Sequence, residues 1–210
     1  MDAKNYIILN PNEIETRSFE IISEELGHLQ LLAGFEAIIK RIIHTTADFD
    51  YARITEIHKD SIVSAHKAFS NRCKIYSDTR MIIAGVSKPA LNKLGCDIYT
   101  YIDDPQVMQQ SKNMGITRSI LGIEKASCDL KTKIFVIGNA PTALVRLGEL
   151  IIDKKINPAL IIGVPVGFVG ASESKEFIKK TGVPYIVTNG RKGGSTVAVA
   201  ILNAILYQLK

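Results

Sequence analysis

The sequence predicts an α/β protein with a three-layer, mostly parallel sheet, helices on both faces, and a single domain covering residues 1–210. Three observations predict it. Short apolar runs suited to strands recur along the chain, each followed by a turn and a helix-like segment, which is the pattern of a doubly wound sheet. The 46% hydrophobic content rests on Ile, Leu, Val and Ala, with aromatics at 7% and no Trp, as parallel strands buried on both faces require. A length of 210 residues suits one core better than two.

The elements follow in order. Asn10-Pro11-Asn12-Glu13 reads as a helix start, with Asn10 as cap, Pro11 at the first helical position and Glu13 closing a capping box. Ile14, Ile21, Ile22 and Leu26 continue at roughly helical spacing, and Gly27 ends the run. Leu31, Leu32, Phe35, Ile38, Ile39, Ile42 and Ile43 make a second amphipathic helix that runs up to His44. A third helix is predicted over 59–71, with Ile62, Val63, His66 and Phe69 on one face. Strands are predicted at 74–77, 97–101, 133–137, 159–163 and 185–188. The last helix, 195–209, is apolar on much of its surface, which suits a core or an interface. No internal repeat, low-complexity tract or linker interrupts this order.

Composition narrows the function. No run of 18 apolar residues is present, so no transmembrane helix is expected. The first 13 residues lack the regions of a signal peptide, and a cytoplasmic location is expected. Cys73, Cys96 and Cys128 are odd in number and far apart in sequence, so they read as buried or idle thiols. The net charge of +5 comes without a concentrated basic run, so no nucleic-acid partner is expected. A mild positive excess suits a small polyanionic ligand, or solubility alone.

In open parallel sheets ligands bind at the carboxyl ends of the strands. Three glycine-rich turns fall there: Gly138-Asn139-Ala140-Pro141-Thr142, the stretch 163–170 with Val166-Gly167-Phe168-Val169, and Gly190-Arg191-Lys192-Gly193-Gly194-Ser195. Each opens a helix, whose free N–H groups favour an anion. Singly, each is also explained as a tight connection. None is a nucleotide fingerprint, since both GxxxxGK[ST] and a GxGxxG after the first strand are missing. No HExxH and no His/Cys pair at ligand spacing occurs, so neither a metal nor a cofactor is expected, and no GxSxG elbow argues for a hydrolase.

Of the four histidines, His28 reads as a capping or surface residue, His58 as solvated, and His66 as a hydrogen-bonded core residue. His44 ends an apolar helix and opens the polar run Thr45-Thr46-Ala47-Asp48. It reads as a general acid or base, or as a histidine that complements the helix dipole. Asp78, before Thr79-Arg80-Met81, reads as a helix cap. Arg17, Arg118 and Arg191 lie near turns or helix starts, where a guanidinium can clamp a carboxylate.

Six segments, taken in order, go further. They are Ile14-Glu15-Thr16-Arg17-Ser18-Phe19, Arg41-Ile42-Ile43-His44-Thr45-Thr46-Ala47-Asp48, Asp78-Thr79-Arg80-Met81, the stretch 138–144, the stretch 163–169 with Glu173-Ser174-Lys175, and 190–195. With these the sequence resembles the precorrin-8X methylmutase family over nearly its whole length. The resemblance implies an isomerase that moves the C11 methyl of precorrin-8 or cobalt-precorrin-8 to C12. It implies His44 as the catalytic residue, acting on a ring nitrogen, and a homodimer with the site near the subunit boundary. The substrate is a flat macrocycle fringed with carboxylates. Met81, Pro165, Val166, Phe168 and Val169 would wall it. Arg17, Ser18, Thr45, Thr46, Thr79, Arg118 and Arg191 would contact it, together with Gly138, Asn139, Ala140 and Pro141, Gly167, and Gly193, Gly194 and Ser195. Two rival readings remain: an α/β enzyme acting on a phosphorylated metabolite, which leaves His44 without a role, and a non-catalytic tetrapyrrole carrier.

Overall fold

The computed structural model describes residues 10–27 and 34–209. Leu31, Leu32 and His28 lie outside the described residues. The chain begins with α1 (Pro11–Leu26), α2 (Phe35–Thr46) and a single turn, α3 (Tyr51–Ile54). It continues through β1 (Thr55–Ile57), α4 (Ser61–Ser70), β2 (Lys74–Ser77), α5 (Arg80–Gly85), α6 (Lys88–Leu94), β3 (Asp97–Tyr99), α7 (Pro105–Met114) and α8 (Arg118–Ser127). Then come β4 (Thr132–Ile137), α9 (Pro141–Ile152), β5 (Leu160–Gly163), α10 (Ala171–Lys179), β6 (Tyr185–Thr188) and α11 (Ser195–Tyr207).

The strands form one sheet in the order β1-β6-β5-β4-β2-β3. All pairs are parallel except β1 with β6. Alternate strand residues feed two cores. Ile75, Ile134, Val136, Leu160 and Ile162 pack with α2, α4, α5, α6 and α11. Tyr76, Phe135, Ile137 and Ile161 pack with α8, α9 and α10 on the other face. Burial on both faces explains why these strands are continuous apolar runs. The chain leaves β2 toward β3 and returns across it to β4, so the winding reverses between β2 and β4. That reversal opens a crevice at the carboxyl ends of these two strands.

Several expectations change. β1, Thr-Glu-Ile, is too short and polar to stand out, and it is the antiparallel edge strand. The strand predicted to reach residue 101 stops at Tyr99. On α4 the inward face is Ser61, Ala65, Ala68 and Phe69, whereas Val63 is 73% exposed; the helix turns its small residues to the sheet. Asn10 and Glu13 do meet, but the Asn10 amide donates to the Glu13 carboxylate at 3.1 Å. The apolar surplus of α11 is internal: Val197, Ala198, Ile201, Leu202, Ile205 and Leu206 are all buried. It therefore offers no apolar face to a second subunit.

Because Ile201 is fully enclosed, Ile201→Ala is expected to lower the unfolding free energy by about 2–5 kcal/mol. Urea denaturation measures this. A change below about 1 kcal/mol would show that α11 is not the centre of its core.

Candidate active site

The crevice is organised by a carboxylate. Asp78, directly after β2, is 1% exposed. Its Oδ1 accepts the Gly138 N–H at 3.0 Å, and its Oδ2 accepts those of Asn139 at 2.9 Å and Ala140 at 2.8 Å. Burial pushes the carboxyl above the usual carboxylate range, and the three N–H bonds oppose that. Asp78 is thus not the cap of α5. Thr79 is, accepting the Ile82 N–H at 3.3 Å. Nor are the amides of the first glycine turn free for a ligand: the neighbouring strand already supplies their anion. Gly138 is glycine because a Cβ there would lie 2.9 Å from the Ser195 Cα.

This packing brings motif residues together. Thr79 Oγ1 lies 3.1 Å from Ser195 Oγ. A cavity of about 570 Å³ opens beside them, lined by Thr79, Arg80, Asp103, Arg118 and Asn139. Arg118 donates to the Ile102 carbonyl at 3.1 Å, and Arg80, not singled out from sequence, pairs with Asp103. Along the same edge the loops after β5 and β6 are joined. The Gly194 N–H donates to Val164 O at 2.8 Å, and the Gly167 N–H to Arg191 O at 3.1 Å. The Arg191 guanidinium lies 5.3 Å from the Phe168 ring centre. Phe168 is 84% and Val169 89% exposed, and Val166 and Met81 are exposed as well.

Lys175 of α10, missed as a functional residue, holds the β6–α11 loop from beneath. Fully buried, its ammonium donates to Gly190 O at 2.9 Å, Lys192 O at 2.8 Å and Thr188 Oγ1 at 3.4 Å. A lysine inside a motif with no acid opposite it was the available signal.

His44 reaches the same edge through β1. That strand is antiparallel, so its amino end, and the turn before it, lie beside the carboxyl end of β6; the Asn189 N–H donates to Ile54 O at 2.7 Å. Lys192 ties the turn down through Asp48 and Asp50, and holds both carboxyls below their ordinary range. Ala47 takes a left-handed conformation (φ 52°) and closes α2, its N–H donating to Ile43 O at 2.7 Å. The hydroxyls of Thr45 and Thr46 bond back to Arg41 O and Ile42 O, both at 2.9 Å. None of Thr45, Thr46 and Asp48 orients the imidazole. The Phe19 ring does face it, at 5.1 Å and 11° between planes.

Arg17 sits in the middle of α1, not near a turn, and pairs with Glu20 at 3.0 Å and Glu24 at 3.9 Å. Ser18 bonds back to Ile14 O at 2.8 Å. His58 is half-buried, its Nδ1 accepting the Asp60 N–H at 3.2 Å. His66, expected to be hydrogen-bonded, has a buried Nε2 without a partner among the described residues. Cys73 and Cys96 are buried, while Cys128 is exposed. A cavity of about 640 Å³ opens at the opposite edge, around Ser127, Thr132, Lys155 and Val183. It contains no motif residue and lies far from the winding reversal, so the site is assigned to the carboxyl edge.

These features define a class: an α/β protein whose carboxyl sheet edge carries a polar, arginine-lined cavity, exposed apolar side chains and a turn that follows an exposed histidine. The comparisons with known proteins agree. The family model for precorrin-8X methylmutase matches residues 13–208. The cobalt-precorrin-8 methylmutase of Leptospira interrogans is 48% identical, over 92% of this chain and 91% of that protein. That of Salmonella typhimurium is 43% identical, over 98% and 99%. The precorrin-8X methylmutase of Pseudomonas aeruginosa is 35% identical, over 91% and 93%. The crystal structure of precorrin-8x methyl mutase from Thermus thermophilus superposes with a TM-score of 0.85 at 34% identity, over 92% of this chain and 96% of that one. The chain belongs to the precorrin-8X methylmutase family.

Lys175 carries a pH signature. Burial brings its ammonium down to about 8 from an ordinary 10.5. Between those values the unfolded chain holds a proton that the folded chain has released, so stability rises with pH across this window. The rise is on the order of 3 kcal/mol. The unfolding free energy of the wild type minus that of Lys175→Met is expected to climb from pH 8 to 10.5, other lysines cancelling in the difference. A flat difference would contradict a desolvated ammonium.

Proposed function

We propose that this chain catalyses the corrin-forming isomerisation of cobalamin synthesis, moving the C11 methyl of precorrin-8 or cobalt-precorrin-8 to C12, with His44 as the proton donor. The observation that carries the assignment is the imidazole itself. It is exposed, it has no hydrogen-bond partner among the described residues, and the turn that follows it is tied through Asp48 and Asp50 to Lys192 of the glycine loop after β6.

Each part of the surface has a use toward a flat polycarboxylate. Met81, Val166, Phe168 and Val169 offer apolar area to the macrocycle faces. Arg118 and Arg191, with no carboxylate partner among the described residues, offer charge to its acetate and propionate fringe. The Thr79–Ser195 hydroxyl pair and the exposed Asn139 offer neutral donors. The amides of Gly138, Asn139 and Ala140 act indirectly, by shaping the turn. The migrating methyl stays on the ring, so no external nucleophile, reductant or group donor is consumed. A proton delivered to, or shared with, a ring nitrogen polarises the conjugated system and lowers the barrier to the shift. General acid catalysis of this kind typically contributes about 10²–10⁴ in rate.

Of the two substrate forms, the cobalt-containing one is favoured here, because the relatives at 48% and 43% identity are named for it; cobalt is then part of the substrate. We place the enzyme in the cytoplasm; among the described residues no helix is long and apolar enough to cross a membrane.

His44→Ala is expected to fold and to bind the tetrapyrrole, while turnover falls at least about a hundred-fold. Conversion of cobalt-precorrin-8 to the corrin spectrum measures it. Near-normal turnover by a folded variant would remove His44 from the mechanism. Binding without turnover by the wild type would favour a carrier instead.

The proposal includes a two-fold homodimer. Its support is the exposed apolar group around Phe168 and Val169, shared between the substrate and a subunit boundary beside it, since α11 is internal. Sedimentation at micromolar concentration is expected to give the dimer mass. Monomer alone would contradict it.

A further inference from the structure

Among the described residues the histidine proposed as proton donor has no hydrogen bond to fix its ring, yet a proton donor must be held in one orientation to act on one nitrogen. We propose that Phe19 of α1 is the positioning residue for His44, setting the plane of the imidazole by stacking against one of its faces. This rests on the functional reading above.

The geometry is specific. The two rings are within 11° of parallel with centres 5.1 Å apart, an offset stack of the kind aromatic pairs prefer. Such a contact restrains rotation of the imidazole while leaving both ring nitrogens at its edge. The polar residues that follow His44 are all engaged elsewhere: Thr45 and Thr46 with helix carbonyls, and Asp48 with Lys192. Stacking is therefore the restraint the structure supplies.

Phe19 is itself held in place. The Arg41 guanidinium lies 4.8 Å from its ring centre, and Arg41 Nη1 pairs with Glu15 Oε1 at 2.7 Å. Glu15 and Phe19 are one turn apart on α1, and Arg41 and His44 are one turn apart on α2. The ion pair and the stack are thus two rungs between the same two helices. Arg41 also lies 5.3 Å from the Tyr207 ring centre, next to the end of α11, which anchors the arrangement to the main core.

The test is a double-mutant cycle read on kcat and KM separately, with turnover of cobalt-precorrin-8 as the assay. Phe19→Ala is expected to lower kcat roughly tenfold, with KM changed less than about threefold. Phe19→Tyr, which keeps the flat ring, is expected to restore kcat. In the His44→Ala background Phe19→Ala should have no further effect, because its only route to the reaction has been removed. An unchanged kcat, or the same fall in both backgrounds, overturns the proposal. If Phe19→Ala does not fold, Phe19→Leu keeps apolar bulk without a plane and is read the same way.

A second readout does not depend on turnover. In the wild type the ring current of Phe19 is expected to displace the His44 carbon-bound proton resonances from solvent-exposed values. Phe19→Ala or Phe19→Leu should return them. Resonances that do not move also overturn the proposal. Normal turnover by His44→Ala would defeat the functional reading instead, and would leave this spectroscopic arm intact.

Discussion

The site depends on the binding of one buried carboxylate by three consecutive backbone amides. Asp78 ends β2, and the amides of Gly138, Asn139 and Ala140 follow β4, the neighbouring strand across the winding reversal. A parallel sheet delivers these two strand ends side by side. Asp78 binds the three amides of the turn just ahead of α9, at the positive end of that helix's dipole. The turn is then fixed closely enough for Ser195 to pack on Gly138 and for its hydroxyl to reach Thr79. Replacing Asp78 would leave three donors unpaired at once, two of them buried, which is far more disruptive than losing a surface cap.

The parallel core was legible in the sequence because double burial writes itself as uninterrupted runs such as Ile134-Phe135-Val136-Ile137. β2 and β6 fall at the expected residues for this reason. β1 was not legible. Three residues of mixed polarity at an edge carry no periodic signal, and their pairing partner lies some 130 positions away. Yet β1 is what turns the chain so that His44 stands beside the β6–α11 loop. The face of α4 was misread for a different reason: near the sheet, close approach selects Ala and Ser, and the larger Val63 is left outside.

The site was legible as a set of motifs and not as a set of interactions. His44, Thr79, Ser195, Arg118 and Arg191 were named from sequence, and the structure places Thr79, Ser195 and Arg118 around one crevice. What each polar group bonds to was hidden. Asp78 looked like a cap because Asp-Thr-Arg is a common helix opening, and nothing local reveals amides sixty residues away. Thr45 and Thr46 looked available to the imidazole, but a hydroxyl in the last turn of a helix finds the carbonyl four residues back more readily. Lys175 sits among residues that signal a surface helix, and only the depth of the sheet edge shows that it is enclosed.

The bond between Lys192 and Asp48 joins residues 144 positions apart. A ribosome that has made the first 180 residues has produced His44, Phe19, the crevice at Asp78 and most of the sheet, but neither β6 nor the loop that tethers the histidine turn. Such a chain can pair β2, β3, β4 and β5, but it lacks α11, which fills one core, and β6, through which β1 joins the sheet. The edge beside His44 closes only when β6 arrives to pair with β1. Its assembly is in this sense a terminal event of synthesis, and a polypeptide interrupted before β6 lacks both that edge and the helix that covers one face of the sheet.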